Sequence, residues 1–469
     1  MKNCWAEKIQ EFATNTPDKV AIIDEETKLT YKKLWEYSCG FAKYLKQQGH
    51  QKGQVVVCKA FGKVEYVVVY LATLIAKGVF APFDKEFTLT KFCNQVDDLP
   101  NVFCVVHDFE HTFGNDVNFD DVLTIAEHHK SFDQVQFDVN DDAQILFTSG
   151  STAKPKAVLT TNAQPLQSKD MANVLGHQSD TIGLIMSPVH HYAFWGVGIT
   201  YLYAGGTFVM FNEFNLKNVI KILTEYKVNS MQATPSMLKM SGAICKEKFG
   251  QIFGNIRSFA IGGEFVPQPV KDWLKKELPN SRFCAIYGST ETAFVSCHRF
   301  DSDKKPFGCA GQLLPKVEIE ICNVEGSDVV AVKSPYLLKK YLGSEPTKDW
   351  FVTKDLAYFK DDCLYVLGRA DDVIISGGTK INPLEIEAVA KDFDGISQTI
   401  CVGAKDEFLG QVAKLYYLST RPFDLKELKC FLAQRIEKAC LPKVYEQIDQ
   451  IRTTPTGKLD RKWYKNYER

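Results

Sequence analysis

The chain has 469 residues, 45% of them hydrophobic and 24% charged, with 56 Lys and Arg against 57 Asp and Glu. This is the make-up of a water-soluble globular protein too long for one core, so two to four folding units are expected. The net charge of −1 leaves no electrostatic footprint for nucleic acid or an anionic membrane surface. Fourteen cysteines are scattered without a Cys-x-x-Cys pair and read as reduced, mostly buried thiols. Met1 to Asn15 lacks an apolar signal core, which points to the cytoplasm. Thr181 to Asn212 carries no Asp, Glu, Lys or Arg, but Pro188, His190, His191 and several glycines interrupt it. It is expected to form buried strand, pocket wall and buried helix rather than a membrane span.

In chain order, Val20 to Ile23 reads as a strand and Thr30 to Gln48 as an amphipathic helix ending at Gly49. Val55 to Cys58 is a buried strand, Val64 to Ala76 a mostly apolar helix, and Asn101 to Val106 a further strand. Asp108 to Asp142 is polar and acidic and reads as a surface linker. Strands follow at Ile145–Phe147, Ala157–Leu159, Gly183–Met186, Thr207–Phe211, Ser230–Ala233 and Ser258–Ile261, with helices such as Leu216–Tyr226 between them. This alternation predicts an α/β fold with parallel sheets. From Val317 to Val332 the runs are short and alternating, the pattern of a small antiparallel β unit. Beyond Arg369 lies a small α+β block with strands Thr399–Val402 and Lys414–Tyr417 and a helix Leu425 to Lys438.

One loop concentrates chemistry. Thr148-Ser149-Gly150-Ser151-Thr152-Ala153-Lys154-Pro155-Lys156 lies between two strands and gathers hydroxyls, backbone amides and two lysines. Such a set suits a polyphosphate, because amides and hydroxyls donate to its oxygens and the lysines neutralise charge. It is not the P-loop, whose frame neither Lys154 nor Lys156 fits, and Gly196-Val197-Gly198 falls short of the dinucleotide fingerprint because Tyr201 stands at the third glycine. Three further stretches accompany it: Tyr287-Gly288-Ser289-Thr290-Glu291 after an apolar strand, Asp355 with Gly368-Arg369-Ala370-Asp371-Asp372, and Thr454-Pro455-Thr456-Gly457-Lys458 near the end.

In that order and spacing the set resembles the adenylate-forming superfamily of acyl- and aryl-CoA synthetases, adenylation domains and luciferases. The resemblance covers essentially the whole chain. It implies a large N-terminal domain over 1–368, a hinge at 369–372 and a small mobile α+β domain over 373–469. It further implies that Thr148, Ser149, Gly150, Ser151, Thr152, Lys154 and Lys156 hold the β- and γ-phosphates of ATP. Gly262, Gly263 and Glu264 would wall the adenine slot, with Tyr287 and Gly288 opposite. Thr290 would bind the α-phosphate, Glu291 the Mg²⁺, and Asp355 with Arg369 the ribose. Lys458 would reach the forming bond from the small domain, and Asp371 would be the hinge about which that domain swings. Ser376-Gly377-Gly378 would then line a tunnel for the incoming thiol.

The chain departs from the family pattern at Ala153 and Ala157, where glycines are usual, and at Ala285, where Asn or Gln commonly faces the adenine. Amino-acid-activating members hold the substrate ammonium with an aspartate that Thr181 to Asn212 lacks. Pro188-Val189-His190-His191-Tyr192 resembles aryl-acid-activating members, with His191 a candidate to steer the carboxylate and Phe194, Trp195, Tyr201 and Phe294 expected around the acid. The expected substrate is therefore an aryl or medium acyl carboxylic acid. Coenzyme A is the expected thiol, a carrier-protein phosphopantetheine the alternative, and a non-catalytic adenylate-binding regulator the reading of another class.

Overall fold

Alternating strands and helices in the first two thirds of the chain build two large sheets. The computed structural model describes residues 5–129, 137–148, 155–213, 215–300, 308–453 and 459–467. One sheet has seven strands, with Val79–Asp84, Val55–Ala60 and Val102–His107 parallel at its centre. At one side, Asp142–Thr148 pairs antiparallel with Lys156–Thr161, which in turn pairs with Lys340–Tyr341. The other sheet has thirteen strands, and its parallel part runs Arg282–Ser289, Ser258–Gly262, Ser230–Ala233, Ile182–Ile185, Thr207–Val209 and Val20–Ile23. An antiparallel extension runs on through Ala293–Arg299, Cys309–Leu313, Cys363–Arg369 and Phe351–Lys360.

Two helices, Val64–Ile75 and Tyr192–Tyr203, pack against each other in the common core of both sheets. Both are apolar nearly all round, as helices enclosed by protein must be. Tyr70 and Trp195 meet with ring centroids 4.0 Å apart. The uncharged stretch 181–212 thus forms strand, helix and strand, as expected. No helix among the described residues is long and apolar enough to cross a membrane.

Local rules account for many boundaries. The Thr30 hydroxyl accepts from the Lys33 amide and starts helix Tyr31–Gln47, and Thr234 caps Pro235–Cys245 in the same way. Three expectations need correction. The stretch 108–142 is not a bare linker, because it holds strand Asp116–Asn118 and helix Val122–His128. Val117, Phe119, Val122 and Ala126 are buried there among polar neighbours, too thinly spaced to show a period. The helix expected to reach Lys438 ends at Ala433, after which the chain turns so that Ile436 returns to the core. Hairpin Glu318–Val324/Ser327–Lys333 is antiparallel as expected, but it forms the edge of the thirteen-stranded sheet rather than a unit of its own.

The C-terminal segment forms a separate five-stranded sheet. Helices Pro383–Lys391 and Leu425–Ala433 pack there over a cluster that includes Ile374, Ile386, Cys401, Leu415, Leu428 and Leu432. The described cysteines are mostly buried.

Candidate active site

The turn that carries Thr290 and Glu291 joins strands Arg282–Ser289 and Ala293–Arg299. It is closed by reciprocal hydrogen bonds, in which the Ser289 amide donates to the Thr292 hydroxyl (3.0 Å) and the Thr292 amide to the Ser289 hydroxyl (3.2 Å). Ala293 sits at φ 56°, a strained left-handed position for alanine that the surrounding bonds enforce. The Gln164 amide donates to the Thr290 carbonyl at 3.2 Å, and the Leu338 amide to the Glu291 carbonyl at 2.7 Å. The Glu291 carboxylate accepts from the Tyr341 hydroxyl at 3.0 Å. The Lys156 ammonium lies 4.9 Å from the centroid of the same tyrosine ring. Thr148 is the cross-strand partner of Lys156. Burial first, and then the Glu291 charge, raise the Tyr341 phenol, which keeps it a neutral donor.

Some distance along the same sheet, Tyr287 donates to Asp355 at 2.7 Å. Asp355 and Arg369 are register partners on adjacent antiparallel strands, with guanidinium and carboxylate 3.5 Å apart. Burial raises the Asp355 carboxyl above its ordinary value, while the Tyr287 bond and Arg369 pull it back. A carboxylate acceptor beside a guanidinium at a cleft edge is suited to a vicinal diol. Asp371 follows directly, paired with Lys354 at 3.0 Å and with Arg369 at 3.8 Å.

A cleft of about 1370 Å³ runs between the thirteen-stranded sheet and the C-terminal sheet. Gly263, Glu264, Arg369 and Asp372 line it together with Pro188, Val189, His190 and Phe194. Gly263 takes φ +82° just after strand Ser258–Gly262, which turns the chain along the cleft wall. The Glu264 carboxylate accepts from the Ser236 hydroxyl at 2.7 Å. Behind the wall, Gln164, Gln167, Tyr192, Trp195 and Phe294 enclose a smaller aromatic and amide-lined pocket.

Sequence-derived candidates thus fall into two groups, Lys156 with Glu291 where the two large sheets meet, and Tyr287 with Asp355, Arg369 and Asp371 on the thirteen-stranded sheet. Gly263, Glu264 and Arg369 share the cleft. Ser149, Gly150, Ser151, Thr152, Lys154 and Lys458 lie outside the described residues. His191 does not line the cleft; its neighbour His190 does, with the two rings 4.4 Å apart and His190 3.8 Å from Asp84. Tyr201, expected near the acid, is a core residue whose ring packs on Gly183, where a Cβ would come within 2.2 Å of it. Ala285 is likewise buried, in the parallel ladder opposite Ile261. Sequence reasoning missed Tyr341, Gln164 and Ser236. Tyr341 carries no local signal, because strand pairing alone delivers it to Glu291.

Lys156 near Tyr341 and Glu291, Asp355 paired with Arg369 and a glycine-walled cleft stand on the α/β fold of the adenylate-forming enzymes. Residues 9–342 match the family described as AMP-binding enzyme, and the chain belongs to that family. It is 28% identical to 2-succinylbenzoate--CoA ligase of Staphylococcus epidermidis, an alignment covering 99% of this chain and 98% of the relative. Among solved structures, ATP-bound MatB from Rhodopseudomonas palustris shares the fold at 21% identity, with a TM-score of 0.88 over 99% of this chain and 100% of that one. So does o-succinylbenzoate CoA synthetase (MenE) from Bacillus subtilis in complex with the acyl-adenylate intermediate OSB-AMP, at 23% identity, 99% and 98% coverage and a TM-score of 0.84. The protein is accordingly an AMP-forming acid–thiol ligase, which activates a carboxylic acid with ATP, releases pyrophosphate and passes the acyl group to a thiol.

Proposed function

We propose that this ligase activates an aromatic carboxylic acid, 2-succinylbenzoate or a close analogue, and transfers it to coenzyme A. The observation that carries the reading is a single cleft in which Gly263, Glu264 and Arg369, the residues assigned here to the nucleotide, share a wall with Pro188, Val189, His190 and Phe194. The similarity to 2-succinylbenzoate--CoA ligases along 99% of the chain supports it. No acidic residue occurs between Thr181 and Asn212 to hold an α-ammonium.

In this reading Thr148, Lys156 and the loop 149–154 grip the β- and γ-phosphates, and Thr290 binds the α-phosphate. Gly262, Gly263 and Glu264 face the adenine with Tyr287 and Gly288, while Asp355 and Arg369 take the ribose. Lys458 stabilises the charge that develops as the acid displaces pyrophosphate, and His191 acts from behind His190 on the acid. Residues 1–368 form the large domain and 373–469 the small one, with Asp371 as the hinge between the two half-reactions.

Mg²⁺ fits Glu291. No cluster of three or more His, Cys, Asp or Glu able to hold a metal occurs among the described residues. An ion that prefers one carboxylate, phosphate oxygens and water suits such a site. When bound, Mg²⁺ neutralises phosphate charge; the chain supplies the carboxylate and the Tyr341 hydroxyl that orients it.

Pyrophosphate exchange across a panel of aryl, fatty and amino acids tests the substrate. Exchange with 2-succinylbenzoate and thioester formation with free coenzyme A are expected. Exchange with α-amino acids alone, or transfer only to an added carrier protein, overturns the reading. A pH profile tests Asp355 separately. Its ionised form accepts from the ribose, and burial raises its pKa, so protonation begins at higher pH than the ~3.9 of a free aspartate. ATP affinity should therefore weaken earlier than a free aspartate would dictate as the pH falls. In Asp355→Asn, ATP binding measured by calorimetry should be weaker and lose that dependence.

A further inference from the structure

Among the described residues, polar contacts join the C-terminal sheet to the body of the protein, and one of them runs through Asn382. The Asn382 side chain does two jobs at once. Its carbonyl accepts from the Leu384 amide at 3.0 Å and so caps helix Pro383–Lys391. Its amide group donates to the Leu367 carbonyl at 2.8 Å. One partner is a donor and the other an acceptor, so the orientation of the amide is settled by its surroundings. Leu367 lies on strand Cys363–Arg369, two residues before the arginine that faces Asp355.

A packing contact reinforces the bond. A Leu384 methyl lies 3.0 Å from where a Cβ on Gly368 would stand, and Gly368 has φ +132°, a position that favours glycine. A second polar contact runs from the Lys380 ammonium to the Gly326 carbonyl. Leu367, Gly368 and Gly326 precede Asp371, whereas Lys380, Asn382 and Leu384 follow it. Rotation about the backbone of Asp371 therefore separates every one of these pairs.

The arrangement they hold is the one in which Thr453 and Leu459 form a β-bridge and line the cleft. These two residues flank the segment that contains Lys458. Gly377 and Gly378 are meanwhile exposed, with open space around Gly378.

We propose that Asn382 is a positioning residue, a clasp that holds the C-terminal sheet in the pyrophosphate-forming arrangement and must release before the thiol step. The inference rests on the two half-reactions assigned under the proposed function. A contact present in only one of two arrangements shifts their populations by its differential free energy. Weakening the clasp thus disfavours acid activation relative to thiol transfer.

Asn382→Asp separates the two jobs. Aspartate caps a helix as well as asparagine does but has no N–H for Leu367, and it sets a carboxylate against that carbonyl. The thermal midpoint should hold. Acid-dependent pyrophosphate exchange should fall about five- to tenfold relative to transfer from preformed acyl-adenylate to coenzyme A, the scale of one lost hydrogen bond. Asn382→Ala removes cap and clasp together and should lower the midpoint as well. Leu384→Ala, which leaves the cap intact, should shift the same ratio in the same direction. Equal changes in both half-reactions, or none, in Asn382→Asp and Leu384→Ala overturn the clasp. Absence of exchange in the unmutated enzyme would overturn the ligase reading, and the clasp with it, so the two failures are distinguished.

Discussion

Lys458→Ala is expected to slow acid-dependent pyrophosphate exchange by about 10²- to 10³-fold, the effect of deleting one positioned donor to developing transition-state charge. ATP binding should survive nearly unchanged, since Lys156, Glu291, Asp355 and Arg369 all precede Asp371. The base of the segment that carries the lysine is firmly held. Thr453 pairs with Leu459, the Asp460 amide donates to the Arg452 carbonyl at 3.0 Å, and the Arg452 amide donates to the Tyr464 hydroxyl at 3.1 Å. Quenched-flow measurement of pyrophosphate release, set beside equilibrium ATP binding, separates the two effects. A variant that binds ATP normally and releases pyrophosphate at the parental rate removes Lys458 from the reaction.

Arg461→Leu should destabilise the C-terminal sheet by about 3 kcal/mol or more, the usual consequence of leaving one partner of a buried ion pair uncompensated. Arg461 forks onto both oxygens of Glu387, at 2.7 and 3.0 Å, where the Glu387 side chain is 4% exposed. Glu387 also accepts from the Cys401 amide at 2.6 Å, so the pair pins helix Pro383–Lys391 to strand Ile396–Asp406. The Asp372 carboxylate is 3.7 Å from Arg461 and 2.6 Å from Lys465. Denaturant unfolding followed by circular dichroism should show the C-terminal transition moving to lower concentration. The double variant Arg461→Met, Glu387→Leu should recover much of the loss, because replacing both charges with apolar groups removes the desolvation penalty. A single variant as stable as the parent would show that this pair does not hold the unit together.

The parts legible in the sequence are those with short-range causes. The helix start at Thr30 follows from a hydroxyl three residues before the amide it caps. The parallel strand Ser258–Gly262 is a largely apolar run between helices, and the candidates Glu291, Asp355 and Arg369 stand out through motif order. What could not be read depends on pairings between distant segments. Tyr341 meets Glu291 only because Lys340–Tyr341 adds to the edge of the seven-stranded sheet. Helix Val122–His128 hid inside acidic sequence because its buried residues are few, and it settles where Gly40 lets two backbones touch. The aromatic stretch 192–201 revealed its apolarity but not its division of labour. Tyr192 reaches the small pocket, while Tyr201 fills the core over Gly183.

The Tyr341–Glu291 bond joins a strand of one large sheet to a turn of the other. A triphosphate gripped by Lys156 on the first and Thr290 on the second would act as a rivet through that seam. ATP should then protect the protein against heat by more than its contacts with either half could explain, because melting one half would require tearing it from the other.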